Sequence, residues 1–153
     1  MNGGTIAKLL SSDPYTRRVH DGFWFPDLKP IISKLPALII LNTDKSSGPG
    51  EHWCAAYFSP SKHCEFFDPL GEPPENTILG YSFIHHLSSF SKTIEFNTEP
   101  VQDVNAKTCG PHCIFFAHHR ARGIPLKEII LEYYTTDDKL NDEIVSEFIE
   151  NMQ

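Results

Sequence analysis

An α+β domain, with a small and mainly antiparallel sheet covered by helices, is the fold class this sequence predicts. Three observations carry it: two short β-forming runs around a turn within 53–68, an unbroken apolar run at 37–41, and helical patterning beyond residue 108. With 153 residues, 40% hydrophobic and 22% charged, the chain suits one domain over 1–153 with a single core.

The first thirty-odd residues combine a short helix starting near Thr5 with a connection holding Pro14, Pro26, Pro30 and Pro36. Each proline removes a backbone donor, so this region reads as a wrapped arm. The run ALIIL, from Ala37 to Leu41, is short for a helix and sits between Pro36 and Asn42; it predicts a buried strand. SSGPG after it is a loop. WCAAYF (53–58) and CEFFD (64–68) flank SPSKH and predict a β-hairpin. Beyond the loop GEPPEN, the segment 77–90 places Ile78, Tyr81, Ile84 and Leu87 near helical spacing, and TIEFN (93–97) returns to strand character.

At Cys109 the pattern turns helical, with Pro111 tolerated in the first turn and Gly123 suited to end the helix. A second helix begins near Pro125 with Ile129, Ile130 and Tyr133 inward. A third begins near Asn141 with Ile144, Val145, Phe148 and Ile149 inward. No internal repeat is visible.

The formal charge of −7 argues against broad nucleic-acid binding, which needs concentrated Lys and Arg. Without an apolar run near ~20 residues or a basic-then-apolar start, neither a membrane span nor a classical secretion signal is expected. Four cysteines are few for this length, and reduced thiols are the expectation.

A thiol protease needs a thiolate, an imidazole to move its proton, an acceptor to orient that imidazole, and donors for the oxyanion. Cys109 stands at the start of a helix, where the helix dipole favours negative charge and lowers a thiol's pKa. If the hairpin turn centres on Pro60 or Ser61, opposed positions sum to 120 or 122. His52 then faces Asp68 or lies diagonally from it on the same side of the sheet. Gln102 could donate its side-chain amide to an oxyanion beside the Cys109 N–H.

In their order and local context, GEHW (from Gly50), FFDPLG (66–71), VQ (101–102) and TCG (108–110) resemble the adenovirus-type cysteine endopeptidases, whose clan includes the ubiquitin-like-protein proteases. The likeness extends over roughly 20–150 and takes in GFWFPDLKP, LNTD and NDEIVSEFI. It implies a papain-like cysteine protease fold with His52 as base, Asp68 as third member, Gln102 as oxyanion donor and Cys109 as nucleophile, and it calls for no metal or organic cofactor. It further implies cleavage of viral or transposon-encoded precursors near glycine during particle maturation, by a protein expected to be monomeric, in the virion and the host nucleus or cytoplasm. Two departures matter. Adenoviral members join an activating viral peptide through a cysteine upstream of the glutamine, yet none lies between Cys64 and Cys109 here. They also use DNA as a cofactor, against which the acidic balance argues.

Rival readings are a protease for ubiquitin-like modifiers cutting after Gly-Gly, and a catalytically silent protein-binding domain of the same fold. Cys54, Cys64 and Cys113 read as packing residues. A metal set drawn from Cys109, His112, Cys113 and His63-Cys64 has poor spacing for zinc. His85-His86 and His118-His119 read as partly exposed helix residues. Trp53 packs beside His52 or lines the substrate path.

Overall fold

The computed structural model describes residues 1–44, 46–48, 51–76, 85 and 89–153. The helix expected over 77–90, with Ile78, Tyr81, Ile84 and Leu87, falls almost wholly outside the described residues, as do His86, Gly50 and part of the SSGPG loop.

The chain opens with helix α1, Gly3–Ser12, which starts slightly before Thr5 because the Asn2 side chain accepts from Thr5 N. Asp13 caps α2, Pro14–Val19, in the same way, and strand β1, His20–Trp24, follows. The expected arm is thus more ordered than its prolines suggest. The β1 sequence HDGFW hides its strand because Gly22 has φ +131° and the register shifts between His20 and Gly22, which spoils the two-residue period.

Strands β2 (Ala37–Asn42), β3 (Trp53–Phe58), β4 (His63–Phe67) and β5 (Thr93–Phe96) complete a five-stranded sheet in the order β1-β2-β3-β4-β5. The two central ladders are antiparallel and the two outer ones parallel. The sheet is therefore mixed, where the sequence suggested a mainly antiparallel one. Only the hairpin signal between β3 and β4 is local; the edge pairings are made through long connections that leave no turn signature.

Every residue of β2 and β3 is buried, because both sheet faces are covered. Leu38, Ile40, Trp53, Ala55, Tyr57 and Phe67 face the helices. Ala37, Ile39, Leu41, Ala56, Phe58 and Phe66 pack with Trp24 on the other side.

Three helices follow: α3, Cys109–Ala121; α4, Leu126–Tyr133; and α5, Asp138–Met152. Helix α3 stops before Gly123, at φ +91°. On α4 the buried residues are Leu126 and Ile129, with Ile130 half-buried, while Tyr133, expected inward, is 40% exposed. This short helix ends at Tyr133, and its extended cap residue Tyr134 turns into the core instead. Helix α5 starts three residues before Asn141, since Asp137 caps it by accepting from Lys139 N and Leu140 N. Val145 and Ile149 are buried as expected, with Ile144 and Phe148 packed partly against them.

Helix α3 is held to the sheet at two points. Phe116 stacks on Phe67 with ring centroids 4.9 Å apart, a contact of about 0.5–1.5 kcal/mol beyond its burial. Near the far end, Arg120 Nε donates to the buried Glu65 carboxylate at 2.7 Å and its guanidinium lies 4.1 Å over the Tyr57 ring. The start of α3 is thereby fixed against the ends of β3 and β4.

Candidate active site

Hairpin register decides whether His52 and Asp68 can meet. The β3–β4 pairs run from Ala55↔Phe67 to Phe58↔Cys64, a sum of 122. One step further, Asp68 opposes Cys54 and His52 lies diagonally from it, the second of the two geometries expected. His52 Nε2 is 2.7 Å from Asp68 Oδ1, with the two side chains 20% and 3% exposed.

Asp68 is pinned from several directions. Its Oδ1 also accepts from Leu70 N at 2.9 Å, an Asx-type turn. Asn97, just past β5, accepts from Asp68 N at 3.1 Å and donates to Asp68 O at 2.7 Å. Gly71 N returns to Asp68 O at 2.8 Å. Gly71 has φ +75°, and a Cβ there would stand 2.6 Å from Glu99 C and 2.7 Å from Pro100 N, so the turn admits only glycine without strain. That close approach lets Val101 N and Gln102 N both donate to Pro69 O, at 2.8 and 3.1 Å. One turn thus ties Asp68 to Gln102.

Cys109 is the first residue of α3 and lies in the helix-facing core cluster. Burial pushes its thiol up, but hydrogen bonding to His52 and to the backbone N–H groups of Trp53 and Gly110 outweighs this, and its pKa falls below the ordinary value. Burial likewise opposes the charged form of His52, yet hydrogen bonds with Asp68 and Cys109 raise its pKa to about 9. Both shifts favour a thiolate–imidazolium pair. With Nε2 engaged by Asp68, Nδ1 is the ring nitrogen left for the thiol. Thr108, at the helix N-cap, makes no side-chain cap bond, so its hydroxyl does not compete for the first-turn N–H groups.

Gln102 is 3% exposed, and its Nε2 donates to Ala106 O at 2.9 Å. This bond orients the amide and leaves its second N–H available. Its Oε1 has no hydrogen-bond partner among the described residues.

Cys54, Cys64 and Cys113 are buried free thiols whose pKa values burial raises, as packing residues should be. Among the described residues the ligand atoms that could share a metal are those of His52, Cys54 and Asp68, within 4.8 Å of one another, and not the set the sequence suggested. Burial raises the Cys54 pKa, so a metal bound there would have to displace the thiol proton. His118 and His119 are half-buried, as expected. Trp53 is buried, edge-on to Phe23 at 5.9 Å, with its indole N–H donating to Met1 O at 3.0 Å.

Sequence reasoning missed Asn97, Asp142 and the structural part of His112. His112 is fully buried, with Nδ1 3.0 Å from Tyr134 Oη and Nε2 2.9 Å from Asp142 Oδ1. The available signal was the NDEIVSEFI piece, whose second residue is Asp142.

A thiol paired with an imidazole, itself oriented by a carboxylate at a helix start, defines a candidate thiol-hydrolase site on an α+β sheet. The chain belongs to the adenovirus endoprotease family, whose model matches residues 24–149. It is 30% identical over 127 residues to a protease of Human adenovirus B serotype 3, covering 74% of this chain and 57% of that protein. A cysteine protease of African swine fever virus is 26% identical over 111 residues, covering 65% of this chain and 39% of that one. The chain thus spans about half the length of the curated relatives it matches. The fold is similar to that of the Chlamydia trachomatis effector protein Cdu1, solved bound to ubiquitin, with a TM-score of 0.53 at 18% identity, covering 97% of this chain and 76% of that one.

Proposed function

We propose that this chain is a cysteine endopeptidase that cleaves viral or transposon-encoded precursor proteins near glycine during particle maturation. The observation that carries the reading is the His52–Asp68 hydrogen bond at 2.7 Å beside a Cys109 thiol of lowered pKa at a helix start. In this mechanism the Cys109 thiolate attacks the scissile carbonyl carbon. The carbonyl oxygen gains charge and is held by the Cys109 N–H and the free N–H of Gln102. His52, as imidazolium, gives its proton to the leaving amine, and a thioester remains. Neutral His52 then takes a proton from water, hydroxide attacks the thioester, and the thiolate departs. Asp68 keeps the imidazole in one orientation throughout.

A cavity of about 350 Å³ walled by Gly3, Gly4, Phe23, Phe25 and Trp53 adjoins the residue after His52, and supports a path for a slender, glycine-containing segment. The protein works as a monomer in the virion or infected cell; the lack of a cysteine between Cys64 and Cys109 argues against a disulfide-linked activating peptide, and the acidic charge argues against DNA activation. The second reading, a protease for ubiquitin-like modifiers, uses the same residues and is motivated by the ubiquitin-bound Cdu1 fold. A catalytically silent binding domain would have no need of the His52–Asp68–Cys109 arrangement.

The test is mass spectrometry of a candidate capsid precursor after incubation with the parent protein and with Cys109→Ala. Cleavage beside glycine by the parent alone supports the reading. Cleavage of a modifier conjugate and not of the precursor selects the second reading. Equal cleavage by Cys109→Ala, or stoichiometric thiol reagents that never label Cys109, sinks both.

A further inference from the structure

The Asp142 carboxylate collects three donors from two other parts of the chain. Oδ1 accepts from Thr108 Oγ1 at 2.7 Å and from His112 Nε2 at 2.9 Å. Oδ2 accepts from Asp103 N at 3.1 Å. Asp103 follows Gln102 and Thr108 precedes Cys109, so one carboxylate grips both ends of the segment that separates the two proposed oxyanion donors. The same Thr108 bond turns away a hydroxyl that would otherwise cap the first turn of α3.

Asp142 is itself held firmly. The neighbouring Asn141 side chain accepts from Thr135 N at 2.9 Å and donates to Thr135 O at 3.0 Å, fixing the start of α5 to the end of α4. His112 thus meets the Asp142 carboxylate through Nε2 and the buried Tyr134 hydroxyl through Nδ1. Burial lowers the His112 pKa, against the opposing pull of Asp142. Tyr134 in turn packs on Phe67 with ring centroids 6.3 Å apart, next to Asp68.

We infer that Asp142 is a positioning residue which, with Thr108 and His112, sets the separation of Gln102 from Cys109 and so the width of the oxyanion site. This rests on the protease reading for its catalytic meaning, but the positioning itself does not. A displacement of about 1 Å in such a site costs up to about 100-fold in turnover.

The test uses the full chain with Asp142→Asn, Thr108→Val and Thr108→Ser. Asparagine keeps an oxygen for Thr108 and His112 but offers no second acceptor to Asp103 N. Valine keeps the shape of threonine without its hydroxyl, and serine restores it. Hydrogen exchange should speed by about tenfold or more at amides within 103–109 in Asp142→Asn and Thr108→Val, with β3 unchanged and Thr108→Ser like the parent. On a peptide substrate those two variants should lose about 10- to 100-fold in kcat with KM within about threefold, and Thr108→Ser should recover turnover. Unchanged exchange within 103–109 overturns the inference. So does a fall in thermal stability with kcat intact. If the parent cleaves no peptide and Cys109 resists alkylation, the protease reading fails, and the exchange result still decides the role of Asp142.

Discussion

Replacing Asp68 by Asn probes the His52 environment most directly. The carboxamide keeps the shape and an acceptor oxygen for His52 Nε2–H, now 2.7 Å from the carboxylate, but removes the charge. The His52 pKa stands at about 9 against the ordinary imidazole value of 6.5, a preference for the imidazolium of about 3 kcal/mol. It arises against burial and is shared between Asp68 and Cys109. A hydrogen bond to a charged group contributes about 1.5–3 kcal/mol, so the loss should lower the His52 pKa by about one to two units. The Cys109 pKa, lowered partly by His52, should rise in response. The assay is the rate of iodoacetamide alkylation of Cys109 between about pH 5 and pH 10, alongside steady-state kinetics. The Asp68→Asn profile should shift to higher pH, with kcat/KM near neutrality down by about 10- to 100-fold. Superimposable profiles, with kcat/KM within about threefold of the parent, would refute the assignment of Asp68 as the group that charges His52.

Gln102→Ala should lower kcat by about 10²–10³-fold in steady-state assays while leaving the Cys109 alkylation rate unchanged, since the donor acts on charge that develops only during reaction. Gln102→Glu should be at least as damaging, because an acceptor replaces the donor. Gly71→Ala forces a Cβ against Glu99 and Pro100 at φ +75°; thermal melts should show a loss of about 1–3 kcal/mol, and kcat should fall because the same turn holds Gln102 N. Asp13, whose side chain is 10% exposed, is held down to about 2 from 3.8, chiefly by its hydrogen bonds with Arg122. A depressed folded-state pKa gives stability that is full above the unfolded value and is lost as pH falls through the folded one. In urea titrations Asp13→Asn should therefore cost about 2 kcal/mol at neutral pH, with the deficit closing towards about pH 2.

The sequence by itself determined what depends on neighbours in the chain. The apolar run from Ala37 to Leu41, the turn between Phe58 and His63, and the helix opening at Cys109 each follow from patterns a few residues long. A hairpin turn centred on Pro60 or Ser61 leaves His52 and Asp68 two geometries on one side of the sheet, because side chains alternate along a strand, whereas an odd register would have put them on opposite sides. Only the tertiary structure decided which of them holds, through a sum of 122. It alone made the sheet mixed, since β1 and β5 pair through long connections. It also turned Tyr134 inward in place of Tyr133, because a helix this short ends where packing and the next turn require. The supports of the site were the least legible part. Asn97 reaches Asp68 across 29 residues and Asp142 reaches Thr108 across 34. A polar side chain acquires such a partner only when the fold buries it beside a distant donor, and nothing in its own neighbourhood in the chain encodes that meeting.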